Sequence, residues 1–258
     1  MRGSWRQKNL PRMNRVLVLS AGMPRAGSGW HYNLIHDLVV ASGGADARQV
    51  RKAFHLEKLL TEVNCNLSTL ASFRLLPVFF PVLLGRTYAI KTHAGPSPTA
   101  SLLMRSRKLV AIYIYRDPRA ALLSAYEYGR RVLEQGKSNA FSHLESVEAA
   151  IVFIKPYLKI WERWMEDDRV LKVRYEDLLS GYDREFKRLV EQLGLPAAGR
   201  GIETVKEKYR PGRVGPEQIG THFNVGKPER FREALSSDEL DSLNRALEPY
   251  LGRMGYPI

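Results

Sequence analysis

The chain has 258 residues, 44% of them hydrophobic and 10% aromatic, enough to bury one large core, and its single cysteine, Cys65, excludes a disulfide framework and points to a reducing, cytoplasmic setting. The 40 Lys and Arg against 27 Asp and Glu leave a net charge of +13, which calls for an anionic ligand, nucleic acid or an acidic membrane surface as partner. No block of consecutive basic residues and no basic stripe interleaved with aromatics is present, which disfavours nucleic acid.

The chain opens on a basic arm, residues 1–14, with Arg2, Arg6, Lys8 and Arg12. Arg15 and the apolar run Val16 to Leu19 follow it, superficially like a secretory leader, but Pro24-Arg25 interrupts the pattern too early for one. Residues 15–258 read as one domain. Four nearly continuous apolar runs, Arg15 to Ser20, Thr87 to Lys91, Leu109 to Tyr115 and Val170 to Tyr175, have the character of strands covered on both faces. Helical patterns alternate with them at Ser28 to Ala41, Ala100 to Arg107, Arg119 to Glu134, Ser146 to Met165 and Asp183 to Leu193. This alternation predicts an α/β fold with a mostly parallel central sheet flanked by helices. The stretch Leu75 to Leu84 is apolar but holds Pro77 and Pro81 and is about half the length a membrane span requires, so no transmembrane segment is expected. Near the end, Ser236 and Glu239 form a capping box that opens a last helix to about Leu251. The segment from Tyr209 to Lys227, rich in Gly and Pro and without a period, reads as a long loop, of a kind that is either functional or disordered.

The first run leads into Ala21-Gly22-Met23-Pro24-Arg25-Ala26-Gly27-Ser28-Gly29-Trp30. Glycines at a strand-to-helix turn let backbone N–H groups face a concavity, and the helix N-terminus adds partial positive charge, so a P-loop-like phosphate site is expected. The position after Gly27 is Ser28 and then Gly29, where a nucleotide triphosphatase loop has Lys and a second hydroxyl to hold magnesium and a γ-phosphate. Arg25 supplies the cation from within the loop, so no metal is required.

Three motifs at strand ends then resemble the superfamily of sulfotransferases that use 3′-phosphoadenosine 5′-phosphosulfate (PAPS): Pro24-Arg25-Ala26-Gly27-Ser28-Gly29-Trp30, Lys91-Thr92-His93, and Tyr115-Arg116-Asp117-Pro118-Arg119 followed by Ser124. The resemblance implies that the first binds the 5′-phosphosulfate and sets Trp30 against adenine. It implies a lysine on the cofactor (Lys91), a catalytic base (His93) and a 3′-phosphate site made by Arg116 and Ser124. An arginine at a strand's carboxyl end and a serine two helical turns on can converge on one anion. Arg174-Tyr175-Glu176-Asp177-Leu178 is similar to a segment whose tyrosine contacts adenine, and Arg210-Pro211-Gly212, with Phe223-Asn224-Val225 to Phe231, to a late loop that closes over the nucleotide. That assigns Tyr175, Arg210 and Gly212 to the cofactor. Here the family's usual Arg-Lys-Gly is Arg-Pro-Gly, and its dimer signature is only partly present.

The implied reaction is metal-free sulfuryl transfer from PAPS to a hydroxyl or amine of a small-molecule acceptor, with His93 as general base and Arg25 and Lys91 stabilising the leaving phosphate. The segments 39–84 and 129–143 are expected to border the acceptor pocket, and their apolar content suggests a hydrophobic or phenolic acceptor. A P-loop nucleotide or small-molecule kinase, or a catalytically silent nucleotide-binding or membrane-surface protein, are the competing readings. Missing magnesium ligands in the loop disfavour the first, and His93 disfavours the second.

Overall fold

The computed structural model describes residues 15–196, 199–213 and 229–258; the basic arm before Arg15 and most of the late loop, including Phe223, Asn224 and Val225, lie outside the described residues. The elements in chain order are β1 (Leu17–Gly22), α1 (Ser28–Ala41), α2 (Ala47–Ala53), β2 (Asn66–Leu67), α3 (Ser72–Leu83), β3 (Tyr88–Thr92), α4 (Pro98–Arg105), β4 (Leu109–Tyr115), α5 (Pro118–Glu134), α6 (Val147–Met165), β5 (Leu171–Arg174), α7 (Tyr175–Ser180), α8 (Tyr182–Gln192), α9 (Arg200–Lys208), α10 (Phe231–Ala234) and α11 (Ser237–Met254).

The five strands form one sheet in the order β2-β3-β1-β4-β5, with every pair parallel. Helices cover both faces, so β1 is buried along its whole length and β3 likewise; β1 is apolar but for Ser20, and β3 is apolar up to the buried Lys91 and Thr92 at its carboxyl end. The chain goes from β1 out to β2 and β3, then crosses back to β4 and β5 on the other side. The sheet's order therefore reverses about β1, and the carboxyl edge beside such a reversal is where open α/β sheets bind ligands.

Strand β1 starts two residues later than the apolar run suggests and continues through Gly22. Arg15 has a left-handed backbone (φ 62°), which ends the extended stretch, while Ala21 and Gly22 stay in the ladder opposite Thr92, Tyr113 and Ile114. A Cβ on Gly22 would lie 2.5 Å from the Ile114 side chain, so only glycine fits there. The stretch around Leu75 to Leu84 is helical despite Pro77 and Pro81. Leu75, Val78, Phe79 and Val82 pack inward, and the Tyr88 hydroxyl donates to the Val78 carbonyl. Tertiary burial here outweighs the two missing backbone donors. The capping box at Ser236 and Glu239 is present, and the last helix runs one turn further than expected, to a left-handed Gly255.

Candidate active site

Four sequence motifs arrive at the same edge because the sheet is parallel. The turn after β1 carries Met23 to Gly27, β3 ends on Lys91 and Thr92 with His93 next, β4 ends at Tyr115 before Arg116, and β5 delivers Tyr175.

The turn after β1 is tied down by Met23 N–H to the Ile114 carbonyl (3.1 Å) and Ala26 N–H to the Met23 carbonyl (3.3 Å). Arg25 is held with φ at 62°, a left-handed conformation that costs a non-glycine residue on the order of 1 kcal/mol or more. Gly27 also has positive φ (75°), and a Cβ there would lie 2.6 Å from the Tyr175 ring. Backbone freedom and side-chain room thus both demand glycine. Ser28 and Gly29 form the first turn of α1, whose N-cap is Gly27, so the helix presents its N–H groups and partial positive charge beside the turn. Pro24 and Ala26 complete the turn and carry no side-chain donor to a ligand.

The Arg25 guanidinium turns along the edge, donating from Nε to Ser124 Oγ (3.2 Å) and lying 4.5 Å from the Tyr128 ring centroid and 5.9 Å from that of Phe141. Burial, opposed by Tyr128 and reinforced by Arg116 and Arg131, lowers its pKa to about 10, so it stays charged at neutral pH. Lys91 is buried opposite Ser20 in the register, and burial together with the charge of Arg25 lowers its amine to about 8. The Arg116 guanidinium lies 4.5 Å from the Tyr175 ring centroid. The structure therefore brings Arg25, Ser124, Lys91, Arg116, Tyr175 and Gly27 together.

One bond fixes the tautomer of His93. Its Nδ1 is 2.7 Å from the Gly22 carbonyl oxygen, which can only accept, so Nδ1 carries the proton and Nε2 keeps its lone pair. Burial, then the charge of Lys91, lower its pKa to about 3 against the opposing effect of its hydrogen bond to the Gly22 carbonyl. The imidazole is neutral at pH 7. Its loop is held by neighbours: Thr92 Oγ1 donates to the Leu67 carbonyl and accepts from Ala94 N–H, and Trp164 Nε1 donates to the Ala94 carbonyl. Thr92 is thus a structural member of its motif.

Trp30 has no exposed surface. Its Nε1 donates to the Tyr209 carbonyl (3.0 Å), its ring stacks on Tyr182 (6.3 Å, 13°), and Tyr175 meets it edge-on. A base laid on Trp30 would have to enter between it and these neighbours. Arg210 is engaged by Asp183 and Glu207 and lies over Tyr182 (5.4 Å), and Gly212 has φ 85° at the last described turn before residue 214.

Other side chains support these. Tyr128 is one helical turn after Ser124, a spacing that does place it on the same face, whereas Phe141 comes from the segment between α5 and α6 and meets Arg25 only through tertiary packing. The buried pair Ser20 Oγ and His31 Nδ1 (2.9 Å) underlies Lys91, whose charge joins burial in depressing His31. Glu176 secures the edge from behind, accepting from Asp117 N–H and from the Tyr256 hydroxyl. Arg119, the last residue of the Tyr115-to-Arg119 motif, is structural: it is buried, paired bidentately with Asp117 and bonded to Asn244 and the Pro257 carbonyl. Among the described residues no group of three or more His, Cys, Asp or Glu could hold a metal ion, and no helix is long and apolar enough to cross a membrane.

The arrangement suits a phosphorylated anion. Cations, a helix N-terminus and a glycine turn converge, and a neutral imidazole with a free lone pair stands beside them.

The model of the sulfotransferase domain family matches residues 17–210. A curated relative, sulfotransferase 6B1 of Danio rerio, is 22% identical over 268 residues, covering 97% of this chain and 85% of the relative. Among solved structures, a retinol dehydratase in complex with androsterone and the inactive cofactor PAP aligns with a TM-score of 0.59 at 15% identity, covering 92% of this chain and 81% of its own. Mouse sulfotransferase SULT7A1 complexed with PAP aligns with a TM-score of 0.56 at 13% identity, covering 91% and 82%.

Proposed function

The chain belongs to the sulfotransferase domain family, and from that premise we propose that it transfers a sulfuryl group from PAPS to a hydroxyl or amine of a small-molecule acceptor, with His93 as general base. PAPS supplies an activated sulfuryl group on a phosphate leaving group. The observation that carries the assignment of the base is the bond from His93 Nδ1–H to the Gly22 carbonyl, which reserves Nε2 for a proton arriving from the acceptor.

The donor's fit rests on this chain's own residues. The turn from Pro24 to Gly29 offers backbone N–H groups, and Arg25 and Lys91 offer charge with little protein counter-charge of their own, which favours a bound 5′-phosphosulfate. Arg116 and Ser124 are assigned to the 3′-phosphate. Ser124 already receives Arg25 Nε, so the two anion sites share one hydrogen-bonded seam. Tyr175, Trp30, Arg210 and Gly212 border the side of the site given to the nucleoside. Lys91 and Arg25 then hold the charge that grows on the leaving phosphate.

The acceptor is placed on the side of Arg25 lined by Tyr128 and Phe141, with Phe153 and Tyr157 continuing the aromatic cluster. Such a wall favours an apolar or phenolic body around the reacting hydroxyl. Retinol dehydratase with androsterone shows that this fold accommodates a steroid in another protein.

The test is sulfuryl transfer from labelled PAPS to a panel of phenols, alcohols and amines, comparing wild type with His93→Ala. Turnover is expected to fall by roughly 10²–10⁴ while affinity for the desulfonated nucleotide PAP changes little. A variant within threefold of wild type, on an acceptor whose chemistry is rate-limiting, would return His93 to a structural role.

A further inference from the structure

Among the described residues, the outer face of one apolar helix is left uncovered. On α3 the inward residues Leu75, Val78, Phe79 and Val82 pack on the sheet, yet the outward ones are apolar too: Phe73 is 73% exposed, Leu76 50%, Phe80 52%, Leu83 62% and Leu84 59%. Pro77 is exposed among them, so this face offers no hydrogen-bonding side chain to define a protein partner. A contiguous ridge of exposed Phe and Leu marks a surface that something covers.

Charge tells what. Between Glu62 and Asp117 the sequence has no acidic residue at all, but it has seven basic ones. Those at the amino edge of the sheet line up beside the end of the ridge. Arg86 follows Leu84, the Arg15 side chain reaches to 4.0 Å from where a Cβ of Gly85 would stand, and strand register sets Arg107 and Lys108 next in line; all four are exposed. The sequence before Arg15 adds Arg2, Arg6, Lys8 and Arg12 and no acid. A second copy is a poor occupant, since pairing two such faces would set basic rims against each other with no acidic residue to offset them.

We propose that the outer face of α3, with the basic rim at Arg15, Arg86, Arg107 and Lys108, docks the protein on the surface of an anionic lipid bilayer. Phe73, Leu76, Phe80, Leu83 and Leu84 enter the headgroup boundary and the rim meets acidic headgroups, the division of labour of interfacial helices. The helix begins beside the loop that follows His93, where Ser72 Oγ and Thr99 Oγ1 are 2.6 Å apart and Ser97 Oγ donates to the Leu70 carbonyl. Docking thus leaves the carboxyl edge of the sheet next to the bilayer.

The experiment is flotation of the full chain with vesicles of phosphatidylcholine alone or with about a third phosphatidylglycerol, at low and high salt. Wild type is expected to float with the anionic vesicles, less so in high salt, and weakly with neutral ones. Phe80→Asp with Leu83→Asp should lower the bound fraction at least tenfold while PAP affinity stays as in wild type, which also certifies the fold. Arg15→Gln and Arg86→Gln, which leave the core untouched, should each lower partitioning about fivefold. The proposal is overturned if wild type fails to float, if both sets of variants float like wild type, or if light scattering shows a dimer that Phe80→Asp and Leu83→Asp dissolve.

Discussion

Replacing Lys91 with Met removes a charge that the fold holds at its own expense. Burial, then Arg25, lowers the amine from an unfolded value of about 10.5 to about 8. A shift of that size corresponds to about 3 kcal/mol of destabilisation while the amine is charged. The sign follows from proton binding: between pH 8 and 10.5 the unfolded chain binds more protons at this site than the folded one, so the cost is complete below about pH 8 and fades as pH rises to about 10.5. Lys91→Met is therefore expected to stabilise the nucleotide-free protein by roughly 2–3 kcal/mol at pH 7, with the gap closing toward pH 10.5, as read by urea unfolding across pH. A bound anion reverses the balance by raising the amine's pKa again. In wild type the affinity for PAP should be flat below about pH 8 and fall about tenfold per pH unit above it. Calorimetry at pH 9 in two buffers of different ionisation enthalpy should find close to one proton taken up, and none in the variant. Equal stability of the two proteins at pH 7, or PAP binding without proton uptake, would refute the reasoning.

Arg116→Ala should weaken PAP binding by on the order of 1.5–3 kcal/mol in calorimetry while leaving adenosine 5′-phosphosulfate, which lacks the 3′-phosphate, nearly unchanged. Gly27→Ala should abolish nucleotide binding and destabilise the fold by about 2 kcal/mol or more, because φ at 75° and the Tyr175 ring both oppose a Cβ; a thermal shift in circular dichroism reads the second effect. With His93 depressed to about 3 by burial and Lys91, its protonation should not limit turnover in nucleotide-free terms, so kcat/KM is expected to show no acid-side loss near pH 6.5 from this group. A clear break at pH 6.5 that disappears in His93→Gln would contradict the burial seen here.

The candidate site was legible where chemistry and backbone demand coincide. Gly27 must be glycine and Arg25 must replace a missing lysine, so the turn announces itself, and the parallel sheet then carries Lys91, His93, Arg116 and Tyr175 to one edge. What stayed hidden depends on packing. Phe141 reaches Arg25 from a segment with no pattern of its own. Trp30 reads by resemblance as a platform for adenine, and only the packing of Tyr175 and Tyr182 against it shows how enclosed it is. Helix α3 was unreadable because Pro77 and Pro81 signal interruption locally, while burial of Leu75, Val78, Phe79 and Val82 against the sheet overrides that signal. The short helices α2, α7 and α9 lie below the length at which periodicity separates helix from turn.

The same physics explains why the site and the rest of the molecule are built differently. Away from the edge, cations are compensated: Arg119 has Asp117, Arg188 has Glu185, and Arg169 has Asp167. At the edge, Arg25 depresses Lys91 and is itself depressed by Arg116 and Arg131, and the acid that acts on Arg25, Glu127, is itself paired with Arg230. Arg25 adds a strained backbone to the same place. Charge repulsion, desolvation and strain all raise the energy of the empty state at the point where an anion would relieve the first two. Stability given up there is recovered on binding, so the protein should melt at a higher temperature with PAP by an amount that grows with ligand concentration. Lys91→Met should lose most of that increment while starting from a higher baseline. A variant that gained stability and kept the full PAP-induced shift would place the anion away from Lys91.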